Sequence, residues 1–398
     1  MDKIDDVLTR GVANVIPNKE SLEKILRSGK KLNIYLGIDP TAPRIHLGHA
    51  VPLRKLQLLA ELGHNVTLLI GNFTSLIGDT SDKESERPIL TEEEIAKNFQ
   101  SYKEQASKVL DFSKVEIVYN ADWLSKLTFT DVIKTTQHFS VNDFISRELI
   151  SKRLKDGKHV RLDEVLYPIM QGYDSYHLDT DLQLGGTDQT FNLQAGRTLQ
   201  KVLRGKESFV MTNPFLDGTD GRKMSKSWGN AIWMSDTPED MYAKIMAIKD
   251  ELIVQYFTLG TNIPLNEVDI IDEALKHGEH PMQMKKKLAY TIVSELYDKA
   301  AAEKGAEAFT KRVQQKELPD DIPTIEITED EQSVLDILVH TNLAISKGQA
   351  KRLIEQGGVV INNERIDDGT IPFDTLAKSD ETIIQVGKRN IVKVRTDK

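Results

Sequence analysis

The sequence predicts an α/β fold in which a doubly wound parallel sheet is followed by an α-helical domain and a small α+β domain. Three observations lead to this prediction. Short apolar runs alternate with helical segments over roughly the first 230 residues, the chain then turns helical and charged from about Pro238 to Gln315, and an acidic, proline-containing stretch precedes a compact C-terminal module. With 398 residues, the chain is also too long for one ordinary core, so we expect two or three domains.

The first predicted unit is a strand, a helix and a second strand. The run LNIYLGI at 32–38 is a buried-strand pattern, and apolar residues then recur at helical spacing from about His46 until Gly63, a natural helix stop. Pro52 lies early in this helix, where we expect it to cost a hydrogen bond or to bend the first turns. The run NVTLLIGNF follows as a strand, which completes a βαβ unit and implies parallel pairing.

The alternation of strands and helices continues in later segments and is followed by the C-terminal module. Further strands are predicted at 114–120, 181–185 and 208–212, so a Rossmann-like sheet should bind its ligand beyond the carboxyl ends of the strands. The C-terminal module should contain two helices and the strands VVIN and TIIQVG…NIVKVR. The predicted domains are 1–232 (Rossmann-like), 233–318 (α-helical), 319–331 (linker) and 332–398 (α+β).

Composition narrows the class of protein. Hydrophobic residues make up 39% and charged residues 28% of the chain, as in globular proteins. The absence of cysteine excludes disulfides, thiolate chemistry and cysteine-containing zinc sites. No run resembles a membrane span or a signal peptide, so a cytoplasmic protein without a membrane partner is expected. A net charge of −9 argues against nucleic-acid binding by the whole chain, although the region from His340 onward is slightly basic.

The stretch DPTAPRIHLGHA raises the first chemical question, because His46 and His49 flank Gly48 at the start of the predicted helix. Zinc would need a third ligand, and the HExxH arrangement is absent. Free N–H groups at a helix start favour an anion, and a glycine lets a ligand approach the backbone. A phosphate site therefore fits better than a zinc site, while two ordinary surface histidines remain an alternative.

The second candidate is the glycine-bounded stretch GRKMSKSWGN, in which Lys223 and Lys226 flank Met224 and Ser225. Two ammonium groups on a loop suit a departing polyphosphate, although such a stretch taken alone is more often solvated surface. Neither GxxxxGK[ST] nor GxGxxG occurs, so any ATP must be held differently from the usual nucleotide motifs.

Together, HLGH and KMSKS resemble the paired signatures of class I aminoacyl-tRNA synthetases, with leucine in place of isoleucine in the first. YLGIDPTAPRIHLGH, GDTSDKESER, YPIMQGYDSY and LGGTDQTFN resemble bacterial tyrosyl-tRNA synthetases over nearly the whole chain. ISKGQAKRLIEQGGVVINNERI is similar to their S4-type RNA-binding module. The resemblance implies a ligase that activates L-tyrosine with ATP and passes it to tRNA(Tyr), with Mg²⁺ accompanying ATP, no zinc, and a homodimer.

The resemblance also implies roles for individual residues. His46, His49 and Thr41 should contact phosphates, and Lys223, Lys226, Lys83 and Arg87 should follow the departing pyrophosphate. Tyr35 and Asp174 should hold the phenol of tyrosine. The ammonium group and ring of tyrosine should be oriented by Tyr167, Gln171, Asp79, Thr74 and Asn120, and Gln189 should help to frame its carboxylate. The remaining ATP contacts should come from Gly37, Asp39, Gly48, Gly186, Asp188, Met224 and Ser225, with Gln183 a weaker assignment.

In the C-terminal module, Lys347, Lys351, Arg352, Lys388 and Arg389 should meet the tRNA backbone. Each role has a plainer alternative: Tyr35 could pack beside the sheet, Asp174 could cap a helix, and the tail lysines could be solvated. Three other functions stay open at this point. They are a tryptophan-specific synthetase, a nucleotidylyltransferase sharing the histidine signature, and a non-catalytic RNA-binding relative.

Overall fold

The structure is a computed structural model that describes residues 2–79, 90–226, 228–311, 322–327, 333–362, 364–376, 381–387 and 390–396. The chain divides into two compact units, Met1–Phe309 and Thr310–Lys398. Among the described residues, no helix is both long and apolar enough to cross a membrane.

A six-stranded sheet organises the described part of the first unit. Its strands are β1 (Asn14–Ile16), β2 (Asn33–Ile38), β3 (Asn65–Ile70), β4 (Val115–Tyr119), β5 (Leu182–Gly186) and β6 (Phe209–Asn213), in the order β1-β6-β5-β2-β3-β4. Strands β2 to β6 pair in parallel, which confirms the predicted doubly wound sheet. The sequence did not predict β1, a three-residue edge strand antiparallel to β6.

The strand order creates a switch point between β2 and β5. From β2 the chain adds β3 and then β4 on one side, whereas β5 and β6 lie on the other side. Connections therefore leave β2 and β5 in opposite directions, which opens a crevice at their carboxyl ends. Asp39 follows β2 directly and Asp188 follows β5, so both residues lie at this crevice.

Helices surround the sheet and continue beyond it. In chain order they are α1 (Lys3–Thr9), α2 (Lys19–Arg27), α3 (Leu47–Glu61), α4 (Glu92–Ala106), α5 (Ala121–Leu124), α6 (Phe129–Thr136), α7 (Val141–Ile145), α8 (Glu148–Lys155), α9 (Leu162–His177), α10 (Thr190–Arg204), α11 (Pro238–Met246), α12 (Ile253–Gly260), α13 (Leu265–Lys276), α14 (Pro281–Leu296) and α15 (Lys299–Phe309). One apolar cluster joins the sheet to α11–α15. The predicted boundary between the Rossmann-like and α-helical domains, at residues 232 and 233, thus passes through a shared core. The division of the chain at that point stays a prediction.

Helices α9 and α10 pack with their backbones in contact. A Cβ atom on Gly172 of α9 would lie 3.1 Å from the carbonyl carbon of Ala195 on α10. A Cβ atom on Gly196 of α10 would lie 2.3 Å from Oε1 of Gln183 on β5. Since contacts this short leave no room for a side chain, the two glycines set the spacing of α9, α10 and the sheet.

The second unit contains a separate sheet and its own apolar core. Its described elements are β7 (Thr324–Ile327), α16 (Val334–His340), α17 (Lys347–Glu355), β8 (Val359–Ile361), β9 (Glu364–Arg365), β10 (Glu381–Val386) and β11 (Asn390–Thr396). The strand order is β7-β11-β10-β8-β9, and β7 is parallel to β11. The interval 319–331 was predicted as a linker, yet it contains β7. The alternation Thr-Ile-Glu-Ile is a strand pattern that the neighbouring prolines and acidic residues obscured.

Candidate active site

The two histidines of the HLGH motif lie against each other at the start of α3, with their ring planes inclined by 53°. The backbone N–H of His46 donates to Nδ1 of His49 at 3.2 Å, and the ring centroids lie 3.9 Å apart. Burial lowers the pKa of His46 to about 2 and that of His49 to about 3, helped by positive charge from Lys226 and Lys223. Among the described residues, Nδ1 of His46 is buried without a hydrogen-bond partner. Both rings are therefore neutral hydrogen-bonding groups near pH 7.

Backbone pairing holds the segment after the lysine motif beside this histidine pair. His46 and Trp233 form an antiparallel bridge, flanked by hydrogen bonds from Leu47 N to Ile232 O at 2.9 Å and from Met234 N to Ile45 O at 2.9 Å. Gly48 lies close to the His46 ring, because an added Cβ would be 3.0 Å from it. The two signature motifs, about 180 residues apart in sequence, are thereby neighbours in space.

We name the stretch 221–230 the lysine loop; in its sequence, Lys223 and Lys226 flank the buried Met224. Nζ of Lys223 lies 3.7 Å from a carboxylate oxygen of Asp188 and 4.0 Å from the ring centroid of Phe215. Lys226 is exposed and Ser225 is half-buried. Lys223 thus extends toward the carboxyl end of β5, where Asp188 was predicted to contact the nucleotide.

Asn230 fastens the lysine loop, a role that the motif did not reveal. Its side-chain amide donates to Oδ1 of Asp220 at 2.8 Å and to the carbonyl of Lys223 at 3.2 Å, and its Oδ1 accepts from Ser225 N at 3.0 Å. Hydrogen bonds from Asn230 and Arg222 hold the pKa of Asp220 well below its usual range. Asn230 is 2% exposed, so it joins both ends of the loop from inside.

Polar side chains from α5, α9 and the turns after β2, β3 and β4 join in one hydrogen-bonded set, here named the polar network: Tyr167, Asp39, Thr74, Asn120, Asp174 and Trp123. Tyr167 and Thr74 each donate to Asp39 at 2.8 Å. Asn120 donates to Thr74 and to Asp174, both at 3.1 Å, and the Trp123 indole donates to Asp174 at 2.8 Å. Five of the six were predicted to bind substrate; Trp123 was not.

Asp174 and Tyr35 lie at the inner end of this network. Burial raises the pKa of Asp174 to about 8, although hydrogen bonds from Asn120 and Trp123 oppose the rise. The Tyr35 hydroxyl lies 3.3 Å from Oε1 of Gln183 and 3.4 Å from the carbonyl of Gln171, and burial raises the Tyr35 pKa well above its usual value. Both predicted phenol-binding residues are therefore buried, and an electrostatic interaction with Asp174 also contributes to the raised pKa of Tyr35.

Gly71, which was not predicted, makes room for the polar network. A Cβ atom at this position would lie 2.0 Å from Oδ1 of Asp39 and 2.3 Å from Oγ1 of Thr74. The available signal was a glycine directly after a buried strand, which indicates close approach but not the group that approaches.

The remaining predicted residues of the first unit lie around the same crevice. Gln189 donates to Asp79 at 2.6 Å and accepts from Asn192 at 3.1 Å. The backbone N–H of Thr41 donates to the carbonyl of Asp39 at 2.7 Å. Gly37 lies in β2 and Gly186 ends β5. Lys83 and Arg87 lie outside the described residues.

In the second unit, three of the predicted tRNA-binding residues lie on α17. Lys347, Lys351 and Arg352 all belong to this helix, and Lys347 is ion-paired with Asp336. All three are exposed, as a surface for phosphates requires. Lys388 and Arg389 lie outside the described residues.

Comparisons with known proteins match both units. Residues 27–314 match the family described as tRNA synthetases class I (W and Y), and residues 314–394 match the tyrosine–tRNA ligase SYY-like C-terminal domain. The tyrosine–tRNA ligase of Thermotoga maritima is 44% identical over 390 residues, covering 98% of this chain and 96% of the relative. That of Dehalococcoides mccartyi is 42% identical over 395 residues, covering 98% of both chains.

Solved structures agree with the fold. Tyrosyl-tRNA synthetase from Archaeoglobus fulgidus, complexed with L-tyrosine, gives a TM-score of 0.61 at 24% identity and covers 76% of this chain and 99% of that one. A truncated mitochondrial tyrosyl-tRNA synthetase from Aspergillus nidulans gives 0.63 at 22% identity, covering 78% and 93%. At these identities the structural likeness concerns the fold alone. With two family matches and relatives above 40% identity over nearly full length, the chain belongs to the tyrosyl-tRNA synthetase family of class I aminoacyl-tRNA synthetases.

Proposed function

We propose that the chain is a tyrosine–tRNA ligase that makes tyrosyl-adenylate from L-tyrosine and ATP and then transfers tyrosine to the 3′ end of tRNA(Tyr). The relatives named above support this function over the tryptophan-specific and non-catalytic alternatives. The observation that carries the proposal is the backbone bridge between His46 and Trp233, because it brings the histidine pair and the lysine loop to one crevice.

In the first step, a carboxylate oxygen of tyrosine forms a bond to the α-phosphorus of ATP, and the bond from that phosphorus to the bridging oxygen of the β-phosphate breaks. Negative charge then grows on pyrophosphate, so catalysis depends on positioning and on charge stabilisation. His46 and His49 are neutral and donate hydrogen bonds to phosphate oxygens together with Thr41. Lys223 and Lys226 supply positive charge to the leaving group, and Lys83 and Arg87 join them. Mg²⁺ enters bound to ATP.

The polar network binds tyrosine. Each carboxyl oxygen of Asp174 accepts one hydrogen bond within the protein, which leaves hydrogen-bonding capacity for the phenol hydroxyl beside Tyr35. Phenylalanine would leave these buried polar groups without that partner, at the cost of about 1–3 kcal/mol that accompanies an unsatisfied buried group. Tyr167, Gln171, Asp79, Thr74 and Asn120 orient the ammonium group and ring, and Gln189 helps to frame the carboxylate. Gly37, Asp39, Gly48, Gly186, Asp188, Met224 and Ser225 frame ATP.

The second unit binds tRNA through its phosphates, with Lys347, Lys351, Arg352, Lys388 and Arg389 as positional contacts whose strength falls with salt. A homodimer is also proposed. Large apolar side chains are exposed within residues 129–162, including Phe129 at 81%, Val141 at 72% and Leu162 at 72%, and a second subunit would cover them.

Tyrosine-dependent ATP–pyrophosphate exchange tests the proposal, with each amino acid supplied in turn. Exchange should require tyrosine, and His46→Ala and Lys226→Ala should slow it while tyrosine affinity stays near wild type. Lys276→Ala is the matched control, since Lys276 is an exposed, ion-paired lysine on α13. Exchange driven by another amino acid would contradict the proposed substrate, and unchanged rates in both variants would contradict the assigned phosphate contacts.

The two-unit division offers a second experiment. A chain ending at Phe309 keeps the whole first core, so pyrophosphate exchange should persist while tRNA charging is lost. Equal loss of both activities would show that tRNA binding and adenylate formation are not separable.

A further inference from the structure

One polar face of α4 binds the backbone of the loop that leads into the histidine motif. Asn98, Ser101 and Gln105 follow one another at helical spacing and thus share a face. Asn98 donates to the carbonyl of Pro40 at 3.0 Å, and both Ser101 and Gln105 donate to the carbonyl of Pro43, at 2.7 and 2.8 Å. No motif marks these residues, yet each contact falls within two residues of a side chain proposed to bind ATP.

Gln105 also begins a series of hydrogen bonds that runs through the segment after the lysine motif and returns to the end of α4. Its Oε1 accepts from Ile45 N at 3.1 Å, and the Ile45 carbonyl accepts from Met234 N at 2.9 Å. The Met234 carbonyl in turn accepts from Nζ of Lys108 at 2.6 Å, just beyond the end of α4. We name this set the α4 circuit: Gln105, Ile45, Met234 and Lys108.

The circuit passes through both strands of the bridge that joins the two signature motifs. Ile45 precedes His46, and Met234 follows Trp233, so the backbone of each is held on both sides. Gln105 is 5% exposed, and losing its amide would leave the buried N–H of Ile45 without this partner. Lys108 also lies 3.6 Å from the ring centroid of Tyr297, which fixes the direction of its ammonium group.

We propose that Gln105 and Lys108 are positioning residues for adenylate formation, which set the distance between the histidine pair and the lysine loop. This inference rests on the proposed function. Neither side chain needs to touch substrate. A shift of about 1 Å between reacting or stabilising groups can cost about 100-fold in rate, so small movements of the bridge should appear in kcat.

Gln105→Met and Lys108→Met test the inference because both keep side-chain length and packing while removing the hydrogen bonds. In tyrosine-dependent pyrophosphate exchange, each should lower kcat about 10- to 100-fold and leave the KM for tyrosine within about twofold of wild type. Gln200→Met is the matched control. Gln200 is also fully buried and donates to a backbone carbonyl, that of Ser175 at 2.6 Å, but on α10 away from the bridge.

The double variant adds a test of the circuit itself. Each single substitution already breaks the α4 circuit. The loss of kcat in the double variant should therefore be clearly smaller than the product of the two single losses. The inference is overturned by undiminished exchange in both single variants, by losses that multiply, or by an equal loss in Gln200→Met. Wild-type protein that shows no tyrosine-dependent exchange would instead refute the proposed function. If Gln105→Met does not fold, the half-buried Lys108 variant decides alone against the same control.

Discussion

Substituting Gly71 by alanine should weaken both folding and tyrosine binding. The new methyl carbon would stand 2.0 Å from Oδ1 of Asp39 and 2.3 Å from Oγ1 of Thr74, distances at which these atoms must move. The hydrogen bond between Thr74 and Asp39, now 2.8 Å, would then be lost. Because Asp39 also accepts from Tyr167, and Thr74 also accepts from Asn120, the disturbance should spread along the polar network.

The size of the effect follows from the bond that is lost. A hydrogen bond to a charged group contributes about 1.5–3 kcal/mol. Replacing glycine by alanine where φ is not positive restricts the unfolded chain and returns about 0.4–1 kcal/mol. The free energy of unfolding should therefore fall by about 1–2 kcal/mol.

Urea unfolding followed by tryptophan fluorescence measures this loss, because Trp123, Trp228 and Trp233, the three tryptophans of the chain, all lie in the first unit. Tyrosine affinity would be measured by equilibrium dialysis. Gly37→Ala is the contrasting variant: its methyl carbon would lie 3.6 Å from the Tyr35 ring and 3.7 Å from Leu69, in ordinary contact. Gly37→Ala should keep the wild-type urea midpoint and still bind ATP less well. A Gly71→Ala protein with wild-type stability and tyrosine affinity would refute the role assigned to the polar network.

Three further predictions concern Asp174 and Asn230. Asp174→Ala should reduce the preference for tyrosine over phenylalanine in pyrophosphate exchange by about 10- to 100-fold, because an unsatisfied buried polar group costs about 1–3 kcal/mol; an undiminished preference would show that the pocket lies elsewhere. The pKa of Asp174 is raised to about 8, so the folded state holds its proton more tightly than the unfolded state does. The stabilisation from this proton is complete below about pH 4 and is lost as the pH rises through about 8. Asp174→Asn should therefore flatten the decline in the free energy of unfolding between about pH 5 and 8. A parallel decline in both proteins would argue against this titration. Asn230→Ala removes the bonds to Lys223 O and Ser225 N and should lower kcat for exchange about tenfold with tyrosine KM unchanged, whereas a changed KM alone would contradict its role in the lysine loop.

Sequence patterns predicted the parts of the fold and site that depend on nearby residues. The strands β2 to β6 appear because each is a short apolar run between helical segments. The pair His46 and His49 could be recognised because both lie at one helix start. In contrast, β1 has three residues, too few for a periodic signal, and β7 lies among prolines and acidic residues that suggest a linker.

The residues that were missed act through partners far away in sequence. Trp123 is recognised by its hydrogen bond to Asp174, and Gln105 by its bond to Ile45; these partners are 51 and 60 residues distant. Buried tryptophan and glutamine usually serve packing and local satisfaction, so their types alone carry no functional signal. Gly71 was visible as a glycine after a strand, but only the folded chain brings Asp39 and Thr74 onto it.

The glycine contact between α9 and α10 has a consequence for how the enzyme can move. Tyr167, Gln171 and Asp174 come from α9, while Gln189 directly precedes α10. Helices whose main chains touch cannot slide past each other without a clash, so the residues of α9 and α10 that are proposed to bind tyrosine should move as a single body. We therefore expect any closure over ATP to come from elements outside that body, and a bulkier residue at Gly172 to force the two helices apart.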